Sequence, residues 1–233
     1  MSRVILFDID NTLLFTGGAG TVAMNAAFRD MFGIEDGFAR VEFSGRTDRY
    51  IFLEGLRQHG IDGDEEAQLQ EFTRRYYALL PQALREREGR LMPGFPQLLE
   101  ALSQRPGVRL GLATGNFSET GRLKLERYGI HEFFLGASDG RLRGGFGEES
   151  LDRADVVRSA IERVAAGAAP QDVLVIGDTP HDVSSALENG VVAVGVATGT
   201  HSVEELRESG AQIVFADFSD WEKAAAVLLG QAG

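Results

Sequence analysis

Short, β-branched apolar runs closed by Asp or Gly recur along this chain. Val4–Phe7, Val173–Ile176 and Val191–Val196 show the pattern, with Val108–Ala113 and Ile213–Phe215 as companions and Phe133–Leu135 as a weaker version. Continuous apolar runs of this length suit strands covered on both faces. Between them, apolar residues recur at helical spacing over Phe95–Gln104, Ser118–Tyr128, Leu151–Ala165, Ser184–Asn189, Val203–Glu208 and Trp221–Leu229. Strands alternating with helices predict an α/β fold built on a parallel sheet flanked by helices.

One stretch departs from that alternation. After the first strand no convincing strand follows until Val108, and helices are predicted near Gly20–Phe32, Thr47–His59 and Glu65–Arg87. Phe72, Tyr76, Leu79 and Leu80 mark the apolar face of the last of these. The pattern predicts a helical domain over residues 16–89, inserted into an α/β core made of residues 1–15 and 90–233. Gly17-Gly18 and Pro93-Gly94 are the expected hinges, because Gly and Pro interrupt regular structure.

Composition narrows the chemistry. The 233 residues include no cysteine, which removes disulfides, thiolate metal sites and cysteine nucleophiles. The formal net charge is −12, so the overall field repels nucleic acid, anionic lipid and phosphorylated substrates alike. A phosphate site therefore needs local positive groups or a metal. The apolar run after Met1-Ser2-Arg3 stops at Asp8, short of the about 7–15 residues of a secretory core. No stretch approaches the ~20 apolar residues of a membrane helix. The expectation is a soluble, cytoplasmic protein with no nucleic-acid or membrane partner, acting as a monomer or homodimer.

Three strand ends carry candidate chemistry. Asp8-Ile9-Asp10-Asn11-Thr12 follows the first strand. Residues two apart in extended backbone share a face, so Asp8 and Asp10 address one volume beyond the strand's carboxyl end, where open α/β sheets bind ligands. Clustered carboxylates call for a cation or a shared proton. Gly177-Asp178-Thr179-Pro180-His181-Asp182 closes another strand, and Asp178 and Asp182 lie four apart, which suits one face of a turn or helix start. Hard divalent cations favour such oxygen ligands, although Asp178 or Thr179 also suits a helix cap ahead of Pro180. After Val108–Ala113 come Thr114-Gly115-Asn116, whose hydroxyl, backbone N–H groups and amide could hold phosphate oxygens or simply cap the next helix.

Taken together, these residues resemble the haloacid dehalogenase superfamily, and within it the group like phosphoglycolate phosphatases. Asp8-Ile9-Asp10-Asn11-Thr12 resembles its Asp-x-Asp-x-Thr signature, Thr114 its strand-end Thr or Ser, and Gly177-Asp178 with Asp182 its acidic motif. The helical insert resembles the family's cap. The resemblance implies a Rossmann-like core and a Mg²⁺-dependent phosphatase acting on a small phosphorylated metabolite, with phosphoglycolate as one option. It implies Asp8 as the nucleophile that forms an aspartyl phosphate, and Asp10 as the acid and then the base. It implies Mg²⁺ on Asp8, the Asp10 carbonyl and Asp178, with Asp182 in support.

The family's usual Lys before the last motif has no counterpart, since no Lys lies between Lys124 and Lys223. Arg153 is the expected substitute, able to grip Asp8 and phosphate oxygens together, with Arg141 and Arg143 as rivals. In the insert, Phe43–Asp48 occupies the position of a loop over the site. Its Arg46 is expected to read the distal group of the substrate, unless the segment only starts a helix. A phosphosugar mutase and a non-catalytic regulator are the competing functions. A Schiff-base mechanism is excluded because the insert lacks Lys. The loose Gly18–Ala23 dinucleotide pattern begins too far after its strand to count.

Overall fold

A computed structural model describes residues 3–136 and 139–231. Its centre is a parallel strand, β1 (Arg3–Phe7), that pairs on one side with β4 (Val108–Ala113) and on the other with β6 (Val173–Gly177). β5 (Gly144–Gly145), β7 (Val192–Val196) and β8 (Ile213–Phe215) complete a six-stranded sheet in the order β5-β4-β1-β6-β7-β8. Every pairing in this sheet is parallel.

The side-chain alternation of β1 shows why the sheet needs two helical layers. Ile5 and Phe7 enter one apolar core, together with α4 (Gln97–Ser103) and α9 (Trp221–Leu228). Val4 and Leu6 enter the opposite core, together with α6 (Arg153–Val164) and α7 (Pro180–Glu188). All four side chains are fully buried, and burying one of this size contributes about 1.5–3 kcal/mol. Helices α5 (Ser118–Arg127) and α8 (Val203–Glu208) fill the remaining crossovers.

Two predicted elements differ. Phe133–Leu135 is not a strand; His131–Phe134 forms a 3₁₀ turn that tucks Phe134 into the core, and Phe7 meets its ring edge-on at 6.1 Å. The sixth strand is instead the two-residue β5, whose glycines carry no apolar signal. The helix expected from Ser184 begins one turn earlier, at Pro180. Thr179 caps it in a reciprocal box with Asp182, and Pro at the first position needs no N–H partner.

The insert holds α1 (Ala19–Phe32), α2 (Asp48–His59) and α3 (Glu65–Glu86). Phe28, Phe52, Phe72 and Tyr76 are buried in a core of their own, with Phe52 stacked on Phe72 at 4.4 Å. Among the described residues buried there, Phe117 alone comes from outside the insert. Two short strands escaped the sequence pattern. Leu14–Phe15 (β2) and Arg90–Leu91 (β3) pair antiparallel where the chain leaves and re-enters the α/β layer. Gly17 and Gly18 follow with left-handed backbone, and at Gly17 a Cβ would also strike the Glu88 carbonyl. These are the positions where glycine's freedom is needed.

Candidate active site

β1, β4 and β6 all end at one edge of the sheet, and their loops meet beneath the insert. Asp8 continues β1, and its N–H donates to the Ile176 carbonyl at 2.9 Å, which holds the residue in strand register. Asn11 then takes a left-handed conformation at φ 58°, tolerated because an Asn side chain compensates locally. The sharp turn brings Asp10 to the same cavity as Asp8. That cavity, about 310 Å³, is also lined by Gly115, Asn116, Arg153 and Asp178.

The acidic residues are close and buried. Asp8, Asp178 and Asp182 each offer a carboxylate oxygen within 4.8 Å of the others. Burial pushes Asp178 up to about 9, with the Asp182 and Asp8 charges adding to the shift. Burial likewise pushes Asp8 up to about 6, opposed by the Arg153 guanidinium. A pocket that resists this much negative charge is suited to a divalent cation bound by hard oxygens.

Arg153 is the first residue of α6, whose N-terminus is capped by the Asp152 side chain accepting from the Ala154 N–H at 2.9 Å. Its Nη2 donates to Asp8 Oδ1 at 2.8 Å, Asp182 Oδ1 at 2.7 Å and the Ala113 carbonyl at 2.8 Å. Its Nε is buried without a partner. Asp182 uses its other oxygen on Thr179, accepting from that hydroxyl at 2.7 Å and from its N–H at 3.2 Å. Asp182 thus fixes both the α7 cap and Arg153. Glycine at 177 is required by this packing, since a Cβ there would collide with the Asp182 carboxyl. The rivals of Arg153 lie elsewhere. Arg143 donates to the Phe133 carbonyl, and both Arg141 and Arg143 line a separate surface hollow.

The strand-end Thr114 is fully buried, and its hydroxyl accepts from the Asn116 N–H and side-chain amide. The Asn116 amide also donates to Asp10 Oδ2 at 2.8 Å. Both amide hydrogens are therefore engaged within the site, so Asn116 orients Asp10, and the Gly115 N–H in this loop makes no hydrogen bond among the described residues. Arg46 lines the cavity wall, but its Nε and Nη2 donate to Glu42 at 3.2 and 2.8 Å and its guanidinium lies over the Tyr50 ring at 4.8 Å. The segment also starts a helix, as the competing expectation had it, because the Thr47 hydroxyl caps α2 by accepting from the Tyr50 N–H.

Comparison with known proteins follows the same lines. A haloacid dehalogenase-like hydrolase family model matches residues 2–190. The chain belongs to the haloacid dehalogenase-like hydrolases. A 5'-nucleotidase of Pseudomonas aeruginosa is 30% identical over 211 residues, covering 87% of this chain and 86% of its own. A phosphoglycolate phosphatase of Rhodospirillum rubrum is 28% identical over 231 residues, covering 95% and 91%. A hydrolase from Pseudomonas syringae shares the fold at a TM-score of 0.69 and 22% identity, over 96% of this chain and 97% of its own.

Two residues of this haloacid dehalogenase-like site went unread in the sequence. Lys124 is buried on α5, and its Nζ donates to Asp10 Oδ2 at 2.6 Å and to Asn116 Oδ1 at 2.6 Å. A signal existed: Lys124 shares a helix face with Thr120, Gly121 and Leu125, where a surface lysine does not belong. Asp48, the first residue of α2, is also buried. It accepts from the Phe117 N–H at 3.1 Å and the Thr120 hydroxyl at 3.2 Å, and its own N–H donates to the Gly115 carbonyl at 2.7 Å. This contact ties the insert to the strand-end loop.

Proposed function

We propose that this hydrolase is a Mg²⁺-dependent phosphoric monoester hydrolase that cleaves a small phosphorylated metabolite through an aspartyl-phosphate intermediate. The observation that carries the reading is the pairing of Asp8 with Arg153, whose Nη1 makes no hydrogen bond among the described residues and lies beside Gly115 at the cavity. The relatives named as a phosphoglycolate phosphatase and a 5'-nucleotidase both support phosphomonoesters as the substrate class. Phosphoglycolate is the first compound to assay.

In this reading Arg153 and the Gly115 N–H orient the phosphoryl group, and Asp8 attacks phosphorus. The bond from phosphorus to the leaving oxygen breaks as Asp10, in its acid form, gives that oxygen a proton. Asp10 then removes a proton from water, which attacks the aspartyl phosphate and releases phosphate and the Asp8 carboxylate. Asn116 and Lys124 hold the Asp10 carboxyl during both transfers. Asp8, the Asp10 carbonyl and Asp178 would hold Mg²⁺, and Asp182 would support them through Arg153 and the Thr179 turn. The ion would supply charge neutralisation between carboxylate and phosphate. The insert covers the leaving-group side as a cap, with Arg46 at its wall.

Asp8→Asn is nearly isosteric and removes the attacking oxygen. Turnover of p-nitrophenyl phosphate and phosphoglycolate should fall at least ~10³-fold in a protein that still folds and unfolds cooperatively. A folded variant with a near-normal rate would exclude this mechanism.

A further inference from the structure

On the insert side of the cavity, several hydrogen-bond donors converge without acceptors. Tyr76, on α3, is only 1% exposed and lines the cavity, yet its hydroxyl makes no hydrogen bond among the described residues. Lys124 is 3% exposed and lines the same cavity, and its two hydrogen bonds leave one of the three ammonium donors unused. Gly20 and Thr21, in the first turn of α1, also line the cavity, and their N–H groups find no acceptor among the described residues. The N-cap of this 14-residue helix, Gly18, offers no side-chain cap. Glycine at 20 keeps the space between these groups open. A Cβ there would lie 3.4 Å from the Tyr76 hydroxyl and 3.5 Å from Lys124 Nζ.

We propose that Tyr76, Lys124 and the first turn of α1 form a subsite for a carboxylate carried by the leaving group of the substrate. The proposal rests on the phosphatase reading and gives its substrate class: a phosphorylated hydroxy acid. The Lys124 ammonium and the two backbone N–H groups can only donate and the Tyr76 hydroxyl can donate with them, so the set, with one full positive charge in it, is more complementary to an anion than to a neutral alcohol. The negative groups facing this space are already engaged. Asp10 is paired with Lys124, and Asp48 accepts from Phe117 and Thr120. Burial raises the Tyr76 phenol well above its usual range, so it stays a donor. The unfilled end of a helix adds its dipole. Chain length follows from Lys124. Its Nζ is 2.6 Å from the Asp10 oxygen, and Asp10 must touch the leaving oxygen, so the carboxylate sits within one or two carbons of the ester. Phosphoglycolate meets this description.

The test compares 2-phosphoglycolate with 2-hydroxyethyl phosphate, a near-isostere whose hydroxymethyl replaces the carboxylate. Calorimetric binding to Asp8→Asn protein separates recognition from turnover. The acid should bind at least about ten-fold more tightly, the size of a charge-assisted contact. Tyr76→Phe in that background should lower the acid-to-alcohol ratio at least about five-fold, and Gly20→Ala should lower it independently by filling the space. Both substitutions should leave the melting temperature within a few degrees, because neither removes an intrachain hydrogen bond. Equal binding of the two compounds, or a ratio unmoved in both variants, would overturn the subsite. Turnover of p-nitrophenyl phosphate by the unmodified chain tests the phosphatase reading separately. Its absence would refute that reading while the binding ratio still decides the subsite.

Discussion

Arg153 Nη2 stands 2.8 Å from Asp8 Oδ1, although the two residues are 145 positions apart in the chain. Both side chains are almost wholly buried. The guanidinium is planar and permanently charged, so it neutralises Asp8 through Nη2 while Nη1, beside Gly115, makes no hydrogen bond among the described residues. A lysine ammonium at the same place would offer a point charge and no fork.

The first expectation follows from that geometry. Arg153→Ala leaves Asp8 and Asp182 facing each other without a cation, and removing one partner of a buried pair costs about 3–5 kcal/mol. Phosphatase activity should be lost and the melting temperature should drop. Arg153→Lys should recover stability more than it recovers kcat/KM, because charge returns but fork geometry does not. Equal kinetics for Arg153→Ala and the unmodified chain would remove Arg153 from the site.

Metal dependence can be checked directly. Chelation should abolish hydrolysis, and Mg²⁺ should restore it better than Ca²⁺, whose larger and looser coordination admits extra ligands around Asp8 and Asp178. Full activity in excess chelator would refute the assignment of Asp8, Asp178 and their neighbours to a cation.

Asp48 predicts a pH-dependent stability term. Burial raises its carboxyl from 3.8 to about 6, with Asp10 adding to the shift and Lys124 and the Phe117 N–H opposing it. Because the folded value lies above the unfolded one, its contribution is present below pH 3.8 and is lost as pH rises through about 6. Asp48→Asn does not titrate. Denaturant unfolding at pH 4 and pH 7 should therefore show the variant gaining on the unmodified chain, by up to about 3 kcal/mol. A stability difference that is the same at both pH values would refute the shift.

Arg46 gives a milder expectation. Its guanidinium must leave Glu42, where it makes an exposed contact at 2.8 Å, before it can meet a substrate. Exposed pairs are weak, so this release costs about 1 kcal/mol or less. Arg46→Ala should lower kcat/KM for phosphoglycolate about ten-fold, and lower it less for p-nitrophenyl phosphate. A uniform loss for both compounds, or none, would leave Arg46 as a wall residue at the start of α2.

Local order along the chain already determined the α/β layers, the helical insert and the acidic strand ends. An apolar run followed by Asp fixes a strand and its terminus within a few residues, so the meeting of Asp8, Asp10 and Asp178 at one cavity was legible from sequence position alone. Elements whose residues carry no side-chain signal were not. The glycines of β5 and the two-residue pair of β2 with β3 form only because neighbouring backbone offers hydrogen bonds, and Phe133–Leu135 turned into a 3₁₀ segment because the core takes Phe134. The same division runs through the site. Local sequence favoured Arg153 but left Arg141 and Arg143 as rivals, and the start of α6 beside β4 carries the Arg153 guanidinium to Asp8. Lys124 and Asp48 read as ordinary helix residues until packing buried them against Asp10 and the Thr114–Asn116 loop. Their roles depend on contacts between residues 69 to 114 positions apart, and a helix reveals only what lies within a turn or two of itself.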